Sequence, residues 1–204
     1  MTLSKLNLEI TTKPMADPKQ TGMPSIPSGV LTASEQSKAI ERLQEQSPSD
    51  IDNAILSSMK QHGVFLTPRS ESRFPTDSDS YEVFRGYDIY VANDVNSDQA
   101  VRALAMAMQP MPVEVMEKSL LTTMMLMVKP SNESPKDAAL RCKLYANEMR
   151  EWPADIFYSV LKSIKVSCTF WPAFSEFNKY YEQRAKKRNE MVKAVFNRIK
   201  RVDS

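Results

Sequence analysis

Glycine disappears from this chain after residue 86. All four glycines, Gly22, Gly29, Gly63 and Gly86, come before that point, and the 118 residues that follow have none. A sheet protein of that length needs glycine at several turns and bulges, so its absence predicts helices joined at prolines. Those prolines are Pro110, Pro112, Pro130, Pro135, Pro153 and Pro172. Histidine is nearly absent too: the single His62 excludes a His-rich metal site or an ordinary His-based dyad. Beside Gly63, it reads as a residue that favours a helix C-terminus. Two cysteines, Cys142 and Cys168, without a CxxC pair, are too few for a disulfide scaffold and read as buried reduced thiols. No GxGxxG or GxxxxGK[ST] loop is present to cradle phosphates. The most apolar run, LLTTMMLMV at 120–128, is bounded by Lys118 and Lys129 and is too short for a hydrocarbon layer of ~30 Å. No basic stretch followed by a long apolar one opens the chain as a signal peptide would. These absences predict a cytosolic protein that is not an enzyme, with no catalytic, cofactor-binding or metal-ligating residues. The acids Glu148, Glu151 and Asp155 can share a surface near a helix junction, and a solvated polar face explains them equally well.

What the chain does contain is ordinary in amount and uneven in place. Hydrophobic residues make up 42% and charged residues 25% of 204, close to the globular average. The formal charge of +2 is polarised. Residues 1–99 carry 9 Lys or Arg against 14 Asp or Glu, net −5, and residues 100–204 carry 18 against 11, net +7.

The first thirty residues, centred on KPMADPKQTGMPSIPSG, are polar, proline-rich and aperiodic, and are expected to be a disordered arm. Residues 31–95 follow as short helices and an irregular or hairpin segment. Thr32 and Glu35 have the spacing of a capping box. Ser49 is an expected N-cap for a helix bearing Ile51, Ile55 and Met59 and ending at Gly63. PRSESRFPTDSDS reads as a loop. YEVFRGYDIYV alternates Tyr81, Val83, Tyr87, Ile89 and Val91, and reads either as a small hairpin or as an irregular arm packed on the helices.

A helical core is expected over 96–182. Ser97 can cap DQAVRALAMAMQ, and VEVMEKSLLTTMMLMVK, apolar nearly all round at its far end, belongs at the centre of the core. Ser134, Pro135 and Asp137 open a helix whose Ala138, Cys142, Tyr145, Met149 and Trp152 form one seam. After Pro153, the residues Ile156, Phe157, Val160, Leu161 and Ile164 form another, which predicts an antiparallel hairpin with both seams facing inward. Trp-Pro-Ala occurs twice, at 152–154 and 171–173, and these are the chain's only tryptophans. Proline suits the first helical position, and the residue before it is pushed towards extended geometry, so each copy reads as a helix start with an aromatic wedge. Trp152, Pro153, Phe170, Trp171, Pro172, Phe174 and Phe177 are therefore candidates for a junction or an interface. The expected class is all-α: a small bundle of αα-hairpins with a flexible N-terminal region and a projecting basic C-terminal helix, residues 183–204.

That last helix carries Lys179, Arg184, Lys186, Lys187, Arg188, Lys193, Arg198, Lys200 and Arg201 against Glu182 and Glu190, net +7 in 23 residues. Three readings stand. The face is simply solvated; or Arg184, Lys186, Lys187, Arg188, Lys193, Arg198, Lys200 and Arg201 neutralise nucleic-acid phosphates; or Met191, Val192, Val195, Phe196 and Ile199 lie in a partner's groove with the charges steering. A Met-rich surface also suits homo-oligomers.

Residues 139–184, ALRCKLYANEMREWPADIFYSVLKSIKVSCTFWPAFSEFNKYYEQR, resemble a helical module of bacteriophage and prophage proteins that load the replicative hexameric helicase. Trp152-Pro153 matches the module's first junction, and Phe170-Trp171-Pro172 with Glu176-Phe177 its second. The resemblance covers 46 of 204 residues. It implies an all-helical, non-catalytic adaptor in a bacterial host's cytoplasm, whose partner is the replicative helicase or another replication protein, with DNA as a further partner. The chain departs from the simplest such loaders in its long polar N-terminal extension, and the family's helicase-contacting part has no residue-level match.

Overall fold

The computed structural model describes residues 30–74, 81–92, 97–128 and 134–202. The expected disordered arm lies outside them but for its last residue. Helix α1, Ala33–Glu45, opens on the expected capping box: the Thr32 hydroxyl accepts from Glu35 N–H, and the Glu35 carboxylate accepts from Thr32 N–H at 2.9 Å. Helix α2, Pro48–Gln61, is capped by Ser47 rather than Ser49, because Pro48 takes the first helical position, where its missing N–H costs nothing. Gly63, at φ +80°, then turns the chain into a strand, a conformation open to glycine at little cost.

Two antiparallel strands follow, β1 (Val64–Arg73) and β2 (Tyr81–Val91). The all-α expectation is corrected here: the molecule is mostly helical but carries a two-stranded sheet. The hairpin also takes in residues 68–73, expected as loop. Pro68 pairs opposite Tyr87, which a strand with a free edge tolerates. The register slips between Arg69 and Ser70, across from Gly86, whose φ of +135° marks a bulge. Val64, Leu66, Tyr87 and Ile89 turn inward, while Phe65 and Tyr90 pack on each other on the opposite face.

Helices α3 (Ser97–Ala107), α4 (Val113–Met125), α5 (Pro135–Glu148), α6 (Ala154–Ser167) and α7 (Phe174–Val202) complete the fold. One apolar core runs through them and the N-terminal elements, from Leu43 and Met59 through Leu104, Leu120, Phe157 and Ile164 to Val195. The expected α5–α6 hairpin is not the observed pairing. Helix α5 packs closely on α4, with Cys142 Sγ 3.6 Å from Met124 Sδ, while α6 packs on α7 and α1. The far end of α4 also departs from expectation. Met116, Leu120 and Met124 are buried, but Met125, Leu126 and Val128 face solvent. The helix ends at Met125 with Leu126 as its C-cap, directly after its last core residue, Met124.

The C-terminal helix does not project. Ala185, Arg188, Met191, Val192 and Val195 are all buried, and α7 lies against β2, α6, α2 and α3. A stripe with these residues at three- and four-residue steps is drawn onto the core by the area it buries.

Candidate functional site

The two Trp-Pro-Ala copies converge on one aromatic cluster. Trp152 lies parallel to Tyr181 at a ring separation of 4.2 Å and also faces Phe174. Trp171 packs on Tyr145 and on Phe177 at 5.4 Å, and Tyr145 touches Phe174 and Phe177 in turn. Both tryptophans are buried, as are Pro153, Pro172 and Phe177; Phe174 is half-buried. Pro153 is the N-cap of α6 rather than its first helical residue. Its carbonyl accepts from Phe157 N–H at 2.9 Å, and the first free N–H of the helix, at Ala154, donates to Gln109 C=O at 3.0 Å. Trp152 thus ties the start of α6 to α7, and Trp171 ties the start of α7 to α5. Phe170 alone among the seven junction candidates is exposed.

The basic helix divides into an inner and an outer set. Arg188 has no exposed surface. Its Nε donates to Asp52 at 2.8 Å, Nη1 to Asp155 at 2.8 Å and to Ala107 C=O at 3.0 Å, and Nη2 to Asp155 at 2.7 Å and to Pro48 C=O at 3.3 Å. All five N–H donors of the guanidinium are used, and they tie α2, α3, α6 and α7 together. Two carboxylates share this one cation. Asp155 takes the bidentate bond at the N-terminal turn of α6, where a negative charge is favoured. Asp52 takes the single bond, and burial pushes its carboxyl pKa up against the pull of Arg188, with the like charge of Asp155 adding to the rise. Burial alone would lower the Arg188 pKa, but hydrogen bonding and attraction to Asp155, then Asp52, hold it above its ordinary value. Neighbouring Tyr87 is raised by burial and by the Asp52 charge, and Tyr181 is pushed up to about 12, chiefly by burial.

Arg184 also turns inward. Its guanidinium donates to Ser159 and Ser163 of α6 and to Tyr180 C=O, and lies over the Tyr180 ring at 5.4 Å. The exposed set is Lys179, Lys186, Lys187, Lys193 and Arg198, with Lys193 paired to Glu190 at 2.7 Å. Lys200 and Arg201 fall within α7, and their side chains lie outside the described ones. The structure therefore brings together only part of the predicted nucleic-acid set.

A second surface was not singled out from sequence. Among the described residues, eight of the thirteen exposed large apolar side chains lie on α4 or just beyond it, on α5, and at the end of α6 and its turn to α7: Val115, Met125, Leu126, Val128, Leu140, Leu144, Val166 and Phe170. Val166, at 83% exposure, and Leu126, at 74%, are among the barest. The segments are bound to each other, since Val128 N–H donates to Thr169 C=O at 3.1 Å and Val128 bridges Phe170 in parallel. The available signal was Leu140 and Leu144, four apart and out of phase with the α5 seam.

Among the described residues no group of three or more His, Cys, Asp or Glu is placed to hold a metal ion, and no helix is long and apolar enough to cross a membrane. Burial and the charge of Glu176 raise the Cys168 thiol pKa, away from reactivity. Compared with protein-family models, curated proteins and solved structures, the chain gives no match.

Proposed function

We propose that this protein is a non-catalytic helical adaptor of phage-type DNA replication, resembling helicase loaders and acting by protein–protein contact in a bacterial host's cytoplasm. One observation carries the reading: a helical body whose tryptophans and Arg188 are turned inside leaves a group of large apolar side chains bare along α4, α5 and the α6–α7 turn. Large apolar side chains grouped in this way on neighbouring elements mark interaction surfaces. The order α5, Trp-Pro, α6, loop, Trp-Pro, α7 is the order of the resembled module, which supports the choice of replication partner. The test is capture of purified replicative helicase by the full chain, with and without nuclease. Recovery in both samples supports the adaptor; recovery of nucleic acid alone, lost with nuclease, overturns it.

A second reading, nucleic-acid binding through α7, is favoured by Lys179, Lys186 and Lys193, which recur every seven residues on the exposed face of the helix. Lys179→Glu, Lys186→Glu and Lys187→Glu together leave the core intact and should abolish DNA binding under this reading. Duplex binding unchanged in that variant removes the helix from consideration.

A further inference from the structure

The charges buried in the core do not balance. The side chains of Arg188 and Asp155 have no exposed surface and that of Asp52 is 10% exposed, so one buried cation faces two carboxylates. An ionised carboxyl without a full counter-charge is costly away from water, and taking up a proton removes that cost. The two acids are not equivalent. Asp155 accepts from both Nη1 and Nη2 of Arg188, at the N-terminal turn of α6, whereas Asp52 accepts from Nε alone. Of the three side chains Asp52 also keeps the solvent contact, through which a proton can come and go while the fold stays closed.

The charged or titratable groups that face Asp52 are Arg188 and Lys187 on α7, Asp155 on α6 and the Tyr87 phenol on β2. Helix α3 and the first turn of α2 add the carbonyls of Ala107 and Pro48, both held by Arg188 and neither titratable. Lys187 is exposed, so solvent screens its pull and it does not stand in for a second buried cation. Burial therefore raises the proton affinity of Asp52 more than Arg188 lowers it, and the like charge of Asp155 adds to the rise.

From this arrangement we infer that Asp52 is a proton-binding site and that, with Arg188 and Asp155, it forms a pH-sensitive latch between α2 and the α6–α7 pair. Protonated, Asp52 still offers a carbonyl oxygen to Arg188 Nε, and the core holds one cation and one anion. Ionised, it adds a second negative charge beside the same guanidinium and repels Asp155. Helix α2 packs on β1 and α3, so the hairpin is held through the same latch. Because the folded value of Asp52 is raised, the folded protein keeps this proton at a pH where the unfolded chain has lost it. The contribution is fully present below the ordinary value of 3.8 and is lost as pH rises through the folded value, so the latch tightens on acidification. It needs no partner and does not depend on the adaptor reading.

The test is an NMR titration of the full chain, isotope-labelled at its aspartate carboxyls, with the Asp52 resonance assigned through Asp52→Asn. That resonance is expected to titrate with its midpoint above 3.8, and a midpoint at or below 3.8 overturns the inference. Amide hydrogen exchange, corrected for its intrinsic dependence on pH, reads the latch itself. In the native chain the α2 amides should be more protected below the Asp52 midpoint than above it. Asp52→Asn keeps an oxygen for Arg188 Nε without the charge and should lose that difference. Glu41→Gln, which removes an exposed acid of α1, should keep it. Protection of α2 that ignores pH in the native chain, or that follows pH equally in Asp52→Asn, overturns the latch. The carboxyl titration and the native exchange profile are both read on the unaltered chain, so the inference stays falsifiable even where Asp52→Asn fails to fold; the assignment then comes from backbone-to-carboxyl correlation.

Discussion

Replacing Arg188 with methionine tests whether the buried ion cluster holds four helices in register. The substitution keeps an unbranched stem and deletes every polar bond at the site. It leaves Asp155 fully buried and Asp52 with a side chain only 10% exposed, both without a counter-charge. Removing one partner of a buried pair costs about 3–5 kcal/mol. The carbonyls of Ala107 and Pro48 each lose a donor, at about 1 kcal/mol or more where no water replaces it. Against a total stability of about 5–15 kcal/mol, the variant is expected to sit near the edge of folding. A fall in Tm of about 6–20 °C follows for a chain of this size. Urea unfolding followed by circular dichroism gives the free energy directly. Adding Asp52→Asn and Asp155→Asn to Arg188→Met should recover part of the loss, because no uncompensated charge then remains buried. The cost should also depend on pH. With the guanidinium gone, the Asp52 pKa, already raised by burial, rises further. The folded state then binds more protons than the unfolded one, so stability falls as pH rises from the ordinary carboxyl value of 3.8. The single variant should therefore lose less at mildly acidic pH than at neutral pH. A cost below about 1 kcal/mol, or one independent of pH, refutes the keystone role.

Trp152→Ala should cost about 3–5 kcal/mol in urea unfolding, whereas Phe170→Ala should stay within about 0.5 kcal/mol; equal costs would contradict the assignment of one ring to the clamp and the other to solvent. Gly86→Ala places a side chain at φ +135° with its Cβ 3.2 Å from Glu190 Oε2, and should destabilise by about 1–3 kcal/mol. Adding Glu190→Ala should relieve the contact but not the backbone strain, so full rescue would locate the cost wrongly. The Glu35 carboxyl is drawn down to about 2 by the Thr32 N–H and hydroxyl and by Arg102. Its contribution is present above the ordinary value of 4.5 and is lost as pH falls from there towards 2. Thr32→Ala, at about 1 kcal/mol, should flatten that acid limb of the melting curve; an unchanged limb would show that the capping box does not set it.

The helices after Gly86 were legible because glycine absence, proline punctuation and apolar periodicity all point the same way. The caps at Thr32 and Ser134 were legible because they are local. Partner choice was not. The α5 seam, from Ala138 to Trp152, is equally compatible with α6 and with α4, and only the Met124–Cys142 contact and the ring cluster around Tyr145 decide between them. The hairpin was half-legible: β2 alternates, but β1 is polar on both faces beyond Leu66 and contains Pro68, so nothing in its own pattern marks it as a strand. Charge was the least legible feature. A basic run on a helix predicts a solvent-facing side throughout, yet Arg188 sits among Ala185, Met191 and Val192 at core spacing. Its acidic partners, Asp52 and Asp155, lie 136 and 33 residues away, beyond any local pattern.

That inward turn of the arginines lowers the charge α7 presents to solvent. With Arg188 and Arg184 engaged inside, the exposed charge of α7 over its described side chains is five cations against Glu176, Glu182 and Glu190, a weaker field than the sequence total implied. The tryptophans of the Trp-Pro-Ala repeats are likewise buried, Trp152 packing on Phe174 and Tyr181 of α7 and Trp171 on Tyr145 of α5 and Phe177 of α7. Helices α4 and α5 bury Met116, Leu120, Thr123, Met124, Ala138, Cys142 and Ala146 and leave Met125, Leu140 and Leu144 exposed. Under the proposed adaptor reading, a partner that covers this outer face stabilises the folded chain by mass action. Under that reading, substitutions at Trp152 should change stability and leave binding in proportion to folded protein. Substitutions at Leu140 and Leu144 should do the reverse.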